Sequence, residues 1–296
     1  MCQLYCEQKD VSAALLRLFF QDSFIRAFDA SLFLDDSNGN TNHSIERWAV
    51  LHSTLNCFDK IDLIKAELER ACPGVVSYAD TLALATRDGI LLVCIIQCSA
   101  LHASWPIPSS ITGRIDSSES DFQETMYEIP KPDGNLSQTF HLFSLRGFNG
   151  RETVSLLGAH NIGKMSCQFI QGCLYNFTGT GKPDPTIAAD FLNELRLNCQ
   201  ANNSNSSLND SEISSGSDLD NYFRSLLRGR GLLFADQQLM ADGKTATLLK
   251  AYTSGDGTIF RMDFARAMVK MSILGGLVRI SRKLPPAQCD VWKLLL

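Results

Sequence analysis

The sequence predicts a mainly α-helical protein with long loops and very little β-structure. Apolar side chains recur at the spacing of one helix face through most of the longer segments. Runs in which apolar and polar residues alternate, which would indicate strands, are almost absent. Stretches rich in Asn, Ser, Gly and Pro separate the periodic segments and are typical of loops.

The first third of the chain contains three predicted helices. Residues 12–27 place Arg17 and Gln21 on one side of the first helix, because side chains four positions apart share a face. Residues 58–71 combine an apolar stripe with an opposite charged face, and residues 77–88 form a largely apolar and therefore central helix. Between residues 92 and 110 the periodicity is lost, and two prolines exclude a long regular element.

The remaining helices are predicted to be shorter, with a polar loop at residues 202–217. Apolar periodicity indicates helices over residues 137–144, 151–157, 187–197, 221–228, 245–252 and 263–274. No internal repeat is found in the sequence. The expected architecture is therefore a set of helices joined by irregular loops.

Length and charge exclude several classes of protein. The 296 residues, 45% of them apolar, suffice to bury a large core. A formal charge of −5 with scattered basic residues gives no electrostatic reason to bind nucleic acid. The longest strongly apolar run, residues 90–96, is far shorter than the roughly 20 residues that span a bilayer, so no membrane partner is expected.

Two features bear on the cellular compartment. Residues 1–7 lack the basic start and apolar core of a secretory signal peptide. Six Asn-x-Ser/Thr sequons point instead to a secreted glycoprotein, because such sites are modified only there. The sequons begin at Asn42, Asn135, Asn176, Asn202, Asn205 and Asn209. Three of the six share one polar loop, so we weigh them together as one observation.

Residues 14–31 carry the most informative pattern, ALLRLFFQDSFIRAFDAS. This segment resembles the distal-haem segment of the secreted class III plant peroxidases, which usually reads LRLHFHDCFVxGCDAS. The resemblance extends over about residues 11–87 and 113–274. It implies a two-lobed, all-helical haem peroxidase fold in a single domain of residues 1–296. The distal lobe would cover about residues 1–130, the proximal lobe about 131–275, and a divergent tail 276–296.

The resemblance implies haem b as a cofactor. His160 matches the proximal ligand in the pattern G-x-H-[TSN]-x-G, and a neutral imidazole is a good axial ligand for haem iron. Asp236 matches the carboxylate that accepts a hydrogen bond from the other ring nitrogen and makes the ligand more basic. Phe20 is expected to contact the cofactor. Taken alone, His160 would be read as an ordinary core or loop histidine; the matching Asp236 and downstream cysteines favour the ligand.

The same resemblance implies hydrogen peroxide as a substrate, but one catalytic residue is different. Arg17 matches the arginine that stabilises negative charge as the O–O bond splits. Gln21 occupies the position of the acid/base histidine, and an amide cannot take up and return a proton near neutral pH. His52 stands near the Asn that orients this histidine in the family. His52 could supply a displaced base, but we prefer to interpret it as a surface-loop histidine.

Two calcium sites are also implied. Clustered carboxylate, hydroxyl and carbonyl oxygens suit Ca²⁺. The distal site would use Asp22, Asp29, Ser31 and the backbone near Ile25 and Ala27, with Glu46 supporting the loop through water. The proximal site would use Asn161, Ser215 and Asp220. Without the resemblance, the distal residues would be interpreted equally well as a solvated acidic turn.

The ten cysteines depart from the family pattern, and their spacing alone does not pair them. The resemblance implies one disulfide, between Cys167 and Cys199. Other family cysteines are replaced, by Ser23, Phe28 and Tyr78. Cys72 keeps its position, but the amino-terminal helix that carries its partner is expected to be absent, so Cys2 or Cys6 would substitute only by chance.

Pro130 resembles the proline near the exposed haem edge where phenolic donors dock. The implied function is reduction of hydrogen peroxide with one-electron oxidation of phenolic donors, by a monomer that acts outside the cell or in the vacuole under oxidative stress. Gln21, His52 and the missing disulfides favour an impaired enzyme. The alternatives are a non-catalytic haem- and calcium-binding relative and a poorly folding gene product.

Overall fold

A computed structural model describes residues 1–8, 10–25, 28–35, 45–97, 112–200, 212–214 and 221–274. The described chain is mostly helical, which confirms the predicted fold class. It divides into two compact units, one formed by Met1–Ile129 with Met268–Leu296 and the other by Pro130–Ala267. No helix in the described part of the chain is long and apolar enough to cross a membrane.

In its described residues, the first unit contains five complete helices and the last four residues of α13 (Thr258–Met271). The five are α1 (Cys2–Glu7), α2 (Val11–Phe24), α3 (Phe58–Ala71), α4 (Tyr78–Gln97) and α5 (Phe122–Glu128). The bounds of α3 match the prediction, whereas α2 ends at Phe24, three residues before the predicted end at 27. Helix α1 was missed by the sequence analysis, which expected no amino-terminal helix.

Helix α4 runs to Gln97, well beyond the predicted end at residue 88. Gly89 lies where α4 crosses α2, and a Cβ atom there would come within 3.2 Å of Ser12 Oγ. Glycine lowers helix propensity, so the local pattern favours an end one residue before Gly89. Its role is instead to let the two helices approach closely. The predicted aperiodic stretch beyond residue 97 falls outside the described residues until Thr112.

A buried ion pair connects the start of α4 to the following segment. Arg114 Nη1 donates to Asp80 Oδ1 at 2.7 Å, and both side chains are almost fully buried. Arg114 Nε and Nη2 also donate to the backbone oxygen of Ser272. Asp116 accepts from the backbone N–H groups of Tyr78 and Ala79 and so caps α4. These contacts hold the two segments together around the core of the first unit.

The second unit contains α6 to α12 and the first ten residues of α13. These helices are α6 (Leu136–Leu145), α7 (Gly150–Leu157), α8 (Gln171–Tyr175), α9 (Ala189–Asn198), α10 (Asn221–Leu226), α11 (Phe234–Gln238), α12 (Gly243–Thr253) and α13 (Thr258–Met271). Strands β1 (Lys164–Ser166) and β2 (Glu212–Ser214) form a small antiparallel sheet in which Met165 pairs with Ile213. Reciprocal capping boxes at Asn135 and Asn149 explain why α6 and α7 begin one residue earlier than predicted.

An aromatic cluster forms one part of the core of this unit. Phe223 packs against both Tyr252 and Phe260, with ring centroids 4.9 Å apart in each pair. Gly158, at the end of α7, lies directly against Phe260, and a Cβ atom there would come within 2.6 Å of the ring. Only glycine fits this contact without a shift of the ring. The contact fixes the turn that follows, Gly158–Asn161, in which His160 lies.

Candidate functional site

His160 is held by a carboxylate within the second unit. Its Nδ1 lies 2.9 Å from Asp236 Oδ1, and the Asp236 side chain is completely buried. A carboxylate oxygen accepts hydrogen bonds, so Nδ1 is the donor in this contact, and in the neutral ring Nε2 then keeps its lone pair. The His160 side chain remains one-third exposed. This is the tautomer that a histidine needs in order to bind a metal through Nε2.

Asp236 receives two further hydrogen bonds. The Tyr222 hydroxyl donates to Oδ1 at 2.7 Å, and the backbone N–H of Leu233 donates to Oδ2 at 3.3 Å. Burial, together with the adjacent Asp236, raises the pKa of Tyr222 well above its ordinary value, so the phenol is a stable donor. The sequence analysis missed Tyr222, because no sequence pattern links it to Asp236.

In the first unit, Arg17 is hydrogen-bonded to Leu51 and Thr54. Its Nη2 donates to Thr54 Oγ1 at 2.7 Å and to the backbone oxygen of Leu51 at 3.2 Å. Burial lowers the pKa of the guanidinium. These bonds fix the orientation of the Arg17 side chain.

Gln21, four residues after Arg17 in α2, forms a buried pair with His52. Gln21 Oε1 lies 3.1 Å from His52 Nε2, and His52 Nδ1 lies 2.7 Å from the backbone oxygen of Glu46. The exposed fraction of His52 is 3%, so our interpretation of a surface-loop histidine is wrong. Burial, and secondarily the charge of Arg17, lowers the pKa of His52 to about 4. The ring is therefore neutral at physiological pH.

The acidic residues expected at the distal calcium site lie at the end of α2, in the segment after it and in the turn Glu46–Trp48. Asp22 is fully buried and accepts from the backbone N–H groups of Ala30 and Leu32. Asp29 accepts from the Ser31 backbone, and the Ser31 hydroxyl donates to Glu46 Oε1 at 3.0 Å. Glu46 Oε2 is buried and has no hydrogen-bond partner. Asp22 and Glu46 are thus withdrawn from water, and Asp29 is half-buried.

Burial raises the pKa of Asp22, Asp29 and Glu46, the last to about 7, and neighbouring carboxylates add to each rise. A divalent cation would compensate these charges, so the residues present fit Ca²⁺. Among the described residues, no three His, Cys, Asp or Glu side chains are arranged to hold a metal by themselves. Backbone and hydroxyl oxygens would have to complete the site, and Ala27 lies outside the described residues.

Only some of the other predicted site residues lie in the described part of the chain. Asn161 is buried and its Nδ2 has no hydrogen-bond partner, but Ser215 and Asp220 lie outside the described residues. Phe20 stacks on Phe24 with a centroid distance of 4.8 Å. Pro130 is half-buried and lies two residues after the end of α5. The proximal calcium site therefore stays a prediction.

Comparison with known proteins identifies the family. A sequence profile described as peroxidase matches residues 1–255. The chain is 39% identical to "Putative Peroxidase 48" of Arabidopsis thaliana, over 91% of this chain and 72% of the relative. It is 33% identical to Peroxidase 39 of the same plant, over 90% of this chain and 78% of the relative. It is 37% identical to Peroxidase 57, also of this plant, over 88% of this chain and 76% of the relative. This chain belongs to the peroxidase family.

The cysteines agree with this family in one pair and correct the sequence analysis at another. Cys167 and Cys199 form a disulfide with Cα atoms 5.5 Å apart, as the resemblance implied. Cys72 is also disulfide-bonded, so the expectation that it would lack a partner is wrong. Among the described cysteines, Cys6, Cys57 and Cys173 are free thiols. This chain therefore has more crosslinks than its sequence suggested.

Proposed function

We propose that this member of the peroxidase family binds haem b through His160 and turns over hydrogen peroxide slowly. Bound haem would supply the redox centre. It would give two electrons to one peroxide and then recover them from two donors, one electron at a time. In the overall reaction, one hydrogen peroxide gains two electrons and two protons and leaves as two waters. Two phenolic donors each lose one electron and one proton.

The residues of the second unit support haem binding. The hydrogen bond from His160 Nδ1 to Asp236 leaves Nε2 as the ligand atom and increases its electron donation. Tyr222 and Leu233 hold Asp236 in place. Each of these contacts lies within one compact unit, so the ligand is prepared before any cofactor binds.

The observation that carries the proposal of slow turnover is the Gln21–His52 pair. Gln21 can exchange hydrogen bonds with peroxide but cannot hold a proton near neutral pH. Loss of a general base removes about 10² to 10⁴ in rate. Arg17 keeps a fixed positive charge, which would still stabilise negative charge that develops on the leaving oxygen.

The same pair favours a second candidate function. A peroxidase relative that keeps its haem ligand and its acidic loop, but lacks a base, can serve as a non-catalytic haem- and calcium-binding protein. Calcium would be held by Asp22, Asp29 and Ser31, with Glu46 next to them. We further propose a secreted or vacuolar monomer. The sequons support this location, and Asn176, one of the two in the described chain, is exposed.

Reconstitution with haem tests both candidates. The purified chain is mixed with haem, and its Soret spectrum and peroxide-dependent oxidation of a phenol are recorded for the wild type, Gln21→His and His160→Ala. We expect a Soret band for the first two proteins, its loss in His160→Ala, and a rate at least about 10² higher in Gln21→His. Gln123→His, on the exposed surface of α5, is the matched control and should leave the rate unchanged.

The outcomes separate the candidates. No haem spectrum in the wild type would reject both haem-binding proposals. Equal turnover in the wild type and Gln21→His would reject the impaired enzyme. A haem spectrum with no measurable wild-type turnover would favour the non-catalytic relative, and failure to obtain any folded protein would favour the poorly folding product.

A further inference from the structure

The His52 ring lies between two oxygen atoms, although a neutral imidazole has only one N–H group. One oxygen is the backbone carbonyl of Glu46, 2.7 Å from Nδ1, and the other is Gln21 Oε1, 3.1 Å from Nε2. Both oxygens only accept hydrogen bonds. With one proton on the ring, one of these contacts would bring two acceptors together inside a buried site.

Only one of the two partners can change its chemistry by rotation. The Glu46 carbonyl is fixed in the backbone of a 3₁₀ turn, where it also accepts from the N–H of Ala49 at 2.9 Å. The Gln21 amide has the same shape at both ends, so a half-turn of the group presents NH₂ in place of the oxygen. A second ring proton would place a positive charge in a buried site where both hydrogen-bond partners of the ring are uncharged oxygens.

We propose that His52 is held as the Nδ1–H tautomer by Glu46, and that its Nε2 lone pair is a fixed hydrogen-bond acceptor directed at residue 21. Gln21 then donates its amide NH₂ to His52 and turns its carbonyl oxygen to the opposite side. His52 is a positioning residue in this arrangement, because it acts on Gln21 and does not itself meet peroxide.

This assignment changes the interpretation of the catalytic defect, and to that extent it rests on the proposed function. In the family, an Asn orients the acid/base histidine. A fixed acceptor at His52 Nε2 can do the same, since an imidazole introduced at position 21 would donate its Nδ1–H to His52. Its own Nε2 would then keep the lone pair that a general base needs. The site then lacks only the acid/base histidine, because His52 takes the role of the Asn that orients it.

The tautomer is measured directly by NMR on the chain labelled with ¹⁵N-histidine, before haem is added. The chain has five histidines, and the His52 signals are those lost in His52→Asn. We expect a directly bonded proton on Nδ1 and none on Nε2. A proton on Nε2, or on both nitrogens, would overturn the proposal. Because no haem is required, this result stands whether or not the proposed function fails.

A set of variants tests the positioning role. Gln21→His is compared alone and combined with His52→Asn, which keeps an acceptor, or with His52→Leu, which removes it. We expect the first two proteins to share a gain of about 10² or more in peroxidase rate, and the Leu combination to lose at least about tenfold of it. The ¹⁵N spectrum of the introduced imidazole should show an unprotonated Nε2 in the first two proteins only.

The variants also give clear contrary results. If the Leu combination matches Gln21→His in both rate and tautomer, His52 does not position residue 21 and the proposal is wrong. If no variant binds haem, the proposed function fails, while the two NMR measurements still decide the orientation of the pair. The Asn combination is the folded reference for the Leu combination. A lower rate in the Leu combination supports the positioning role only where both proteins give the same haem spectrum.

Discussion

Tyr222 donates a hydrogen bond of 2.7 Å to Asp236, on the same carboxylate oxygen that accepts from His160. Two donors compete for this one oxygen. Tyr222 therefore weakens the hydrogen bond that Asp236 accepts from His160. Asp236 is fully buried, so the groups that contact it replace the hydrogen bonds that it would make with water. Tyr222 therefore contributes both to the stability of this unit and to the electronic state of the expected ligand.

Substitution Tyr222→Phe should lower the free energy of unfolding by about 1.5–3 kcal/mol, because it removes a hydrogen bond to a buried charge. Urea denaturation of the two proteins measures the difference. Tyr127→Phe is the matched control, since that ring is 75% exposed and should change stability little. Equal effects of the two substitutions would show that the Tyr222 hydroxyl does not stabilise Asp236.

The ion pair between Asp80 and Arg114 predicts a larger effect. Asp80→Ala would leave a buried guanidinium without its carboxylate, and we expect a loss of about 3–5 kcal/mol in the free energy of unfolding. Glu67→Ala breaks the exposed pair with Arg70 and should change stability by less than about 1 kcal/mol. Denaturant titration of both variants is the test, and a small effect at Asp80 would contradict the burial of this pair.

Cys173 predicts a dependence of stability on alkaline pH. Burial, and then the charges of Asp184 and Asp133, raises the pKa of this thiol from 9.0 to about 11. The unfolded chain loses the proton first, so the stabilisation is complete below pH 9 and is lost as pH rises to about 11. The shift corresponds to about 2–3 kcal/mol. The stability difference between the wild type and Cys173→Ala should shrink over this window; a constant difference would contradict the raised pKa.

The disulfide between Cys167 and Cys199 closes a loop with a sequence separation of 32 residues. A loop of this length reduces the entropy of the unfolded chain enough to contribute about 3–4 kcal/mol. The double substitution to serine should lower the free energy of unfolding by that amount. Cys6→Ser, at an exposed free thiol, is the control and should have no effect. A stable double variant would show that packing, not the crosslink, holds this region.

The sequence was sufficient where local pattern decides the structure. Helix α3 could be bounded because its apolar stripe ends at a Cys-Pro-Gly stop, and its described bounds agree. Helix α4 was predicted too short, since the reason for Gly89 is its approach to Ser12, far away in the chain. Local pattern does not contain such contacts.

The same limit explains the candidate site. The family motif identified His160 and Asp236 as a pair, because both belong to recognisable segments. Tyr222 and the burial of His52 depend on contacts between distant parts of the chain that no motif records. Cys72 was misjudged for the same reason, since pairing depends on which chain segments meet.

The acidic loop of the first unit predicts a response to calcium. Asp22 is fully buried, Glu46 Oε2 has no hydrogen-bond partner, and like charges lie close by, so a bound cation should stabilise the folded state. Addition of Ca²⁺ after chelator treatment should raise the melting temperature of the wild type, by a few degrees per kcal/mol gained. Asp22→Asn should weaken this response, because it removes a hard anionic ligand. Asp59→Asn, at an exposed acid on α3, should respond as the wild type does. An equal response in all three proteins, or none in the wild type, would mean that these carboxylates do not form a calcium site and that their burial is balanced by hydrogen bonds alone.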